Sequence, residues 1–246
     1  MMIKIQKLLT SVAILLLSNV VFAQKNPAYV SIQFKHYANQ QPLVLVDSAY
    51  TNSTGESFQP TRLKYYISNL ELLSNTSKFK QRSSRSIHLI DASNQENIFL
   101  EPYNAIYNHI SFTIGVDSAL NCSGAQSGPL DPVNGMFWTW NTGYIYFKLE
   151  GYSAASTNDL QKIEYHIGGY TGAFKANRKV TLTLPEPLLI EAGKSLQIMI
   201  HVDLDKFWNS KNNISIAANA LIMSPGALAA AAADNLPAMF SIGNIE

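Results

Sequence analysis

The sequence predicts an all-β protein, an antiparallel β-sandwich carrying one or two short helices. Three observations lead there. Apolar and polar residues alternate with period 2 through several separate runs. Turn-forming residues fall between those runs. Helix-period patterning is confined to two short stretches near the C-terminal end.

Residues 1–23 stand apart from the rest. Lys4 and Lys7 give a positive start, Leu8 to Leu17 is apolar, and Val21-Phe22-Ala23 ends on a small residue before Gln24. This is the layout of a secretory signal peptide cleaved near Ala23, so the expected location is periplasmic or secreted. The apolar run is short for a membrane span, and no later segment supplies one. No cysteine sits at the cleavage point to carry a lipid. Residues 24–246 are expected to form a single domain, because all-β folds of roughly 200–250 residues often stay one unit.

The elements follow in order. Val30, Ile32, Phe34 and His36 share one face of a first strand. Leu63 to Leu73 and Ile87 to Ile90 favour strand through their aromatic and β-branched residues. Ser77 to Ser86 is basic and polar, as in a solvated hairpin loop. Ile110, Phe112, Ile114 and Val116 form another face. Ile145, Phe147 and Leu149 oppose Tyr144, Tyr146 and Lys148. Val180, Leu182 and Leu184 alternate with threonines, and Leu196 to Val202 alternates with Gln197, Met199 and His201. Turns separate these runs at Asn52 to Gly55, Ser74 to Ser77, Asp91 to Asn94, Asn121 to Asn134, Gly151 to Asn158 and Glu191 to Gly193. Asp203 to Asn209 is read as a short helix or turn. The alanine-rich Ala227 to Ala233, after Pro225, is read as a helix.

Charge and cysteine count exclude several classes. A net charge of +1 gives no electrostatic case for nucleic acid or an anionic membrane. Cys122 is the only cysteine, which excludes an intrachain disulfide and a cysteine-rich zinc or iron–sulfur site. It is read as a small buried hydrophobe. There is no G-x-S-x-G elbow, P-loop or H-E-x-x-H motif, so the chain is read as a binding protein and not as an enzyme. Glu150 and Glu164 could pair in a carboxylate hydrolase, but nothing in the sequence places them together.

The most unusual stretch is GPLDPVNGMFWTWNTGYIYFKLEG, residues 128–151. Turn residues precede Trp138 and Trp140, and an alternating strand follows. In an extended chain the two indoles stand on one face. With LKYYISNLELL at 63–73, IHLID at 87–91, ISFTIGVDSALNCSGAQS at 110–127, EYHIGGY at 164–170 and AAADNLPAMF at 231–240, this block resembles the MbnP-like family of exported proteins associated with copper binding. The resemblance implies a β-sandwich outside the cytoplasm. For some relatives it also implies a copper carrier in which a partner di-haem enzyme oxidises a tryptophan to kynurenine, and the modified ring helps hold the metal.

Copper needs imidazole, thioether or thiolate ligands. The chain offers His36, His88, His109, His166 and His201, none at ligand-pair spacing, so a site must be assembled from distant segments. His36 continues an apolar face and needs a hydrogen-bond partner or a metal if it turns inward. His166 precedes Gly168-Gly169, where glycines leave room for a ligand. These two are the first candidate ligands, with Trp138 or Trp140 beside them. Met136, as a thioether, and His201, with Asp203 to orient it, rank below them. His88 and His109 are read as surface or edge residues. Tyr144 and Tyr146 are read as covering sheet surface. Asp117, Ser118, Asn121, Asp131 and Asn134 offer oxygen donors that suit calcium, in no EF-hand spacing, and equally suit loop hydrogen bonds. The proposed role is copper capture or delivery outside the cytoplasm. The alternative is a metal-free module that holds a glycan, peptide or protein on the aromatic surface around Trp138.

Overall fold

A computed structural model describes residues 28–76, 80–83, 86–139 and 142–246. The expected signal peptide and Trp140 lie outside the described residues.

The smaller of two main sheets has five strands: β1 (Tyr29–Ala38), β2 (Gln41–Pro42), β7 (Asn97–Leu100), β14 (Ser195–Asp203) and β16 (Phe240–Ile245). β14 covers one edge of β1. The other edge is shared by β7, beside residues 30–33, and β2, beside residues 37–38. Among the described residues no strand lies along that edge between them, at residues 34–36, where the His36 carbonyl accepts from the Leu43 amide (2.8 Å).

The larger sheet has nine strands: β3 (Tyr50–Thr51), β4 (Ser57–Leu73), β5 (Lys80–Arg82), β6 (Ile87–Asp91), β8 (Ala105–Ile114), β11 (Phe147–Tyr152), β12 (Lys162–Ile167), β13 (Arg178–Ile190) and β15 (Leu221–Ile222). β4 is its spine. One edge takes β11 and then β8, and the other takes β6 and then β5. So part of the expected 77–86 hairpin loop is strand.

The expected sandwich is present, with mixed sheets. β1 runs parallel to β14 and β12 parallel to β15; the other strand pairings are antiparallel. Alternation fixes which residues face inward, but it carries no information about strand direction. Phe34 of β1 meets the rings of Tyr65 (6.1 Å), Phe112 (5.9 Å) and Phe240 (6.2 Å), each edge to face, so the inner faces of the two sheets are in direct contact. Val30, Ile32, Ile198, Ile200 and Val202 complete this fully buried layer on the smaller sheet.

Among the described residues three short α-helices accompany the sheets: α1 (Ser118–Cys122), α2 (Asp205–Trp208) and α3 (Ala227–Asn235). The last two match the sequence expectation. α1 was not anticipated: it starts where the Asp117 carboxylate accepts the Leu120 amide at 3.0 Å.

The segment from Asp117 to Tyr144 covers the outer face of the larger sheet, with β9 (Phe137–Thr139) and β10 (Gly143–Tyr144) as its two-stranded ribbon. Tyrosine hydroxyls fasten it. Tyr66 donates to the Pro129 carbonyl (2.9 Å), Tyr144 to that of Leu130 (2.9 Å), and Tyr146 to Asn121 Oδ1 (3.3 Å). Tyr144 and Tyr146 are therefore fully buried, and do not cover an open sheet surface as expected. Gly143 has φ 78° and lies so close to the Asn121 amide that a side chain would collide with it.

Candidate functional site

His36 lies on the inward face of β1, as its alternation with Ile32 and Phe34 predicts. It opens onto the strand-free stretch of the β1 edge, where a cleft of about 630 Å³ separates β6 from β7. His36 Nε2 shares a hydrogen bond of 3.0 Å with the hydroxyl of Tyr65. Tyr65 is fully buried, and burial pushes its phenol well above the usual range, so it stays protonated. Burial lowers the His36 pKa to about 4, with Asp91 pulling the other way and Lys35 adding to the fall. At neutral pH His36 is a neutral imidazole, the form that can ligate a metal. His88 lines the same cleft and meets Ser83 Oγ at 2.9 Å. Lys64 and Asp91 form an ion pair of 2.9 Å in its wall.

His166 is elsewhere. Tyr65 stands opposite Phe147, and Phe147 opposite Ile167, so these three side chains share the inner face of the larger sheet. His166 is one residue from Ile167 and therefore points to the outer face. The expected His36–His166 ligand pair is not formed, because the sheet stands between the two rings. His166 Nε2 donates instead to Glu150 Oε1 at 2.8 Å. Glu150 also pairs with Arg62 (2.7 Å) and Lys148 (3.4 Å). The His166 hydrogen bond leads in lowering the Glu150 pKa to about 2; burial opposes it, and Lys148 and Arg62 assist. Lys148 is buried and also donates to the Gly135 carbonyl, which ties the covering segment to the sheet.

Trp138 does come near His166. A Cβ on Gly168 would fall 2.8 Å from the Trp138 ring, and Gly168 is two residues beyond His166. The half-buried indole keeps its Nε1 shielded, with no hydrogen-bond partner among the described residues. Trp138 thus joins His166 on the outer side, away from His36.

The lower-ranked candidates join neither group as ligands. Met136 is fully buried in the covering segment. His201 lies on the outer face of the smaller sheet, 4.8 Å from the Tyr37 ring, with its own ring close over Gly243. Asp203 accepts the Asp205 amide at 3.0 Å, just ahead of α2. Cys122 is exposed, not buried as expected. The oxygen donors considered for calcium are engaged locally: Asp117 and Asp131 accept backbone amides, and Asn121 accepts from Tyr144 N and the Tyr146 hydroxyl. Asn134 donates to the Gly128 and Pro129 carbonyls. Glu150 and Glu164 are directly opposite on β11 and β12, but Glu150 is held ionised among cations. Among the described residues no group of three or more His, Cys, Asp or Glu side chains is placed to hold a metal ion.

Sequence reasoning ranked His88 low and did not consider Tyr65 or Asp91. The signal was available for His88, since β6 alternates and places His88 on the same face as Ile90.

The fold and its sites define a mixed β-sandwich with an open cleft at the β6 edge of the larger sheet and a covered, charge-lined layer on the outer face of that sheet. A family model described as MbnP matches residues 27–224, and the chain belongs to the MbnP family. Among solved structures it is similar to MbnP from Methylosinus trichosporium, at 15% identity and a TM-score of 0.53, over 75% of this chain and 78% of that one. This likeness is one of fold. No curated protein matches the chain.

Proposed function

We propose that this protein handles copper outside the cytoplasm, by binding and without turnover. Membership of the MbnP family over residues 27–224 is the observation that carries the reading. The layout of residues 1–23 supports the location, and no described helix is long and apolar enough to cross a membrane. A partner that oxidises a tryptophan belongs to the same reading, with Trp138 as the described candidate.

The described residues do not supply a complete copper site. What they supply is His36, a neutral imidazole, in an open cleft that His88 also lines. His166 is held by an ionised carboxylate, Glu150, whereas His36 and His88 meet the neutral hydroxyls of Tyr65 and Ser83. The ranking of ligands is therefore His36 first, His88 second and His166 third.

Copper titration followed by size exclusion and metal analysis tests the reading. The native protein is expected to retain one copper per chain, and His36→Ala to lose it. His166→Ala is expected to retain it. Loss in His166→Ala alone would move the site to the outer face, and no retention by the native protein would end the copper reading.

A further inference from the structure

The larger sheet has a strand edge left open beside the cleft. β6 pairs with β4 and with no other described strand. The Ala92 amide donates to the Leu63 carbonyl (2.9 Å) and the Asn69 amide to the Ser86 carbonyl (3.1 Å), so the even-numbered residues of this run bond to β4. The odd-numbered residues turn their amides and carbonyls to the opposite side. The Leu89 amide and carbonyl have no partner among the described residues. Leu89 lines the cleft of about 630 Å³, beside His88, Ile90 and Asp91.

The facing wall repeats the pattern. The Leu204 amide donates to the Tyr37 carbonyl (2.8 Å), so the odd-numbered residues of β1 serve β14 and the even-numbered ones point to the strand-free stretch. There Leu43 takes the His36 carbonyl, but the Phe34 amide and carbonyl have no partner among the described residues, although Phe34 is buried. Backbone groups shielded from bulk water need partners.

Geometry narrows what can supply them. An extended polypeptide presents an amide and a carbonyl on one side at every second residue, which is the pattern a strand edge accepts. Four residues of β6 line the cleft, about 13 Å of strand. Phe34, Ile90 and Ile98 wall it on the inner side, and Lys64 and Asp91 neutralise one another, so the lining suits apolar and uncharged side chains. The edge also lacks the usual guards. β13, at the end of the same sheet, carries Pro185, Pro187 and a register shift, whereas β6 reads IHLID with no proline. A recess of this size takes one short segment and not the edge of a folded second copy.

We propose that this cleft captures an extended, uncharged peptide segment of a partner protein, which adds to β6 as a further strand. The guest residue opposite Leu89 exchanges two backbone bonds with it. Its side chain points to the outer face, as that of Leu89 does opposite Tyr66. The guest residues on either side of it point inward, at Phe34 and Ile90. The inference goes beyond the copper reading and does not depend on it.

The test is NMR of the full mature chain, free of copper, with acetyl-TVTVT-amide and acetyl-TFTFT-amide at millimolar concentration. In the free protein the Leu89 amide is expected to exchange with solvent much faster than the Ile90 amide, which serves β4. At least one peptide is expected to bind one to one and to slow exchange at Leu89. N-methylation of its central threonine removes the N–H donated to Leu89 and is expected to weaken binding about tenfold. Leu89→Pro removes the edge N–H without touching the bonds to β4 and is expected to weaken binding by the same factor; Leu89→Ala is expected to retain it. Circular dichroism checks that the variants fold, and the N-methylated peptide carries the test if Leu89→Pro does not. A Leu89 amide already protected in the free protein overturns the proposal. So does absence of binding by both peptides, equal binding of the N-methylated one, or a concentration-dependent dimer that protects Leu89 without peptide.

Discussion

Glu150 and His166 are joined diagonally across β11 and β12 by a hydrogen bond of 2.8 Å, and the same carboxylate gathers Arg62 and Lys148. One anion therefore serves three basic side chains, one of them the buried Lys148. Removing that anion leaves a buried ammonium without its counter-charge. Glu150→Gln is expected to lower stability by about 1–3 kcal/mol. Arg62→Ala, at an exposed partner, should cost about 0–1 kcal/mol. Urea denaturation measures both. Equal effects would show that burial of Lys148 does not set the size of the loss.

The acid side of the stability profile follows from two carboxylates. Burial raises the Glu56 pKa, but bonds from the Ala217 and Ile216 amides and the Asn52 and Thr54 side chains outweigh it and bring it down to about 2. Glu150 is also lowered to about 2. A carboxylate with a depressed folded pKa contributes stability that is complete above its ordinary value of 4.5 and is lost as pH falls towards 2. Urea midpoints are expected to drop through that window. In Glu56→Gln the drop should be shallower, because one of the two groups no longer titrates.

His36 acts at higher pH and through the opposite protonation state. Its folded pKa of about 4 lies below the ordinary 6.5, so the unfolded chain takes up the proton first. Stability is expected to fall as pH drops from 6.5 to 4, and to be insensitive to this group above and below that window. Ring-carbon NMR shifts of His36 should still report a neutral imidazole at pH 5.5, roughly midway through the window. A protonated ring at that pH would mean the cleft admits far more water than its burial implies.

Gly168 lets the Trp138 ring and the Tyr144 carbonyl approach its backbone; an added Cβ would lie 2.6 Å from that carbonyl and 2.8 Å from the ring. Gly168→Ala is expected to cost about 1–3 kcal/mol through overpacking. The Trp138 indole should shift towards water, which red-shifts its fluorescence. Unchanged emission with unchanged stability would show that the covering segment is not clamped at this point.

The parts of this fold that were legible in the sequence are those governed by a local period. Alternation placed His36 on the inner face of β1 and marked the runs that became β8, β11, β13 and β14. The alanine run after Pro225 became α3. What was not legible depends on segments meeting across the chain. Ile163, Tyr165 and Ile167 alternate with Glu164 and His166, so the opposite facing of His166 was present in the pattern, but the face that His36 shares was not. Tyr144 and Tyr146 read as surface because nothing local shows that a preceding loop folds back over them. The burial of Lys148 has the same cause: the Gly135 carbonyl reaches it from the covering segment.

The parallel pairing of β1 with β14 has a kinetic consequence. Val30 meets Leu196 and Phe34 meets Ile200, with most of the chain between them. The first described strand, β1, thus remains without its principal neighbour until β14 has been synthesised. Contacts of such long sequence separation slow folding. Until they close, the Val30–Ile32–Phe34 face is an exposed sticky edge, a point at which a chaperone would be expected to hold the nascent polypeptide.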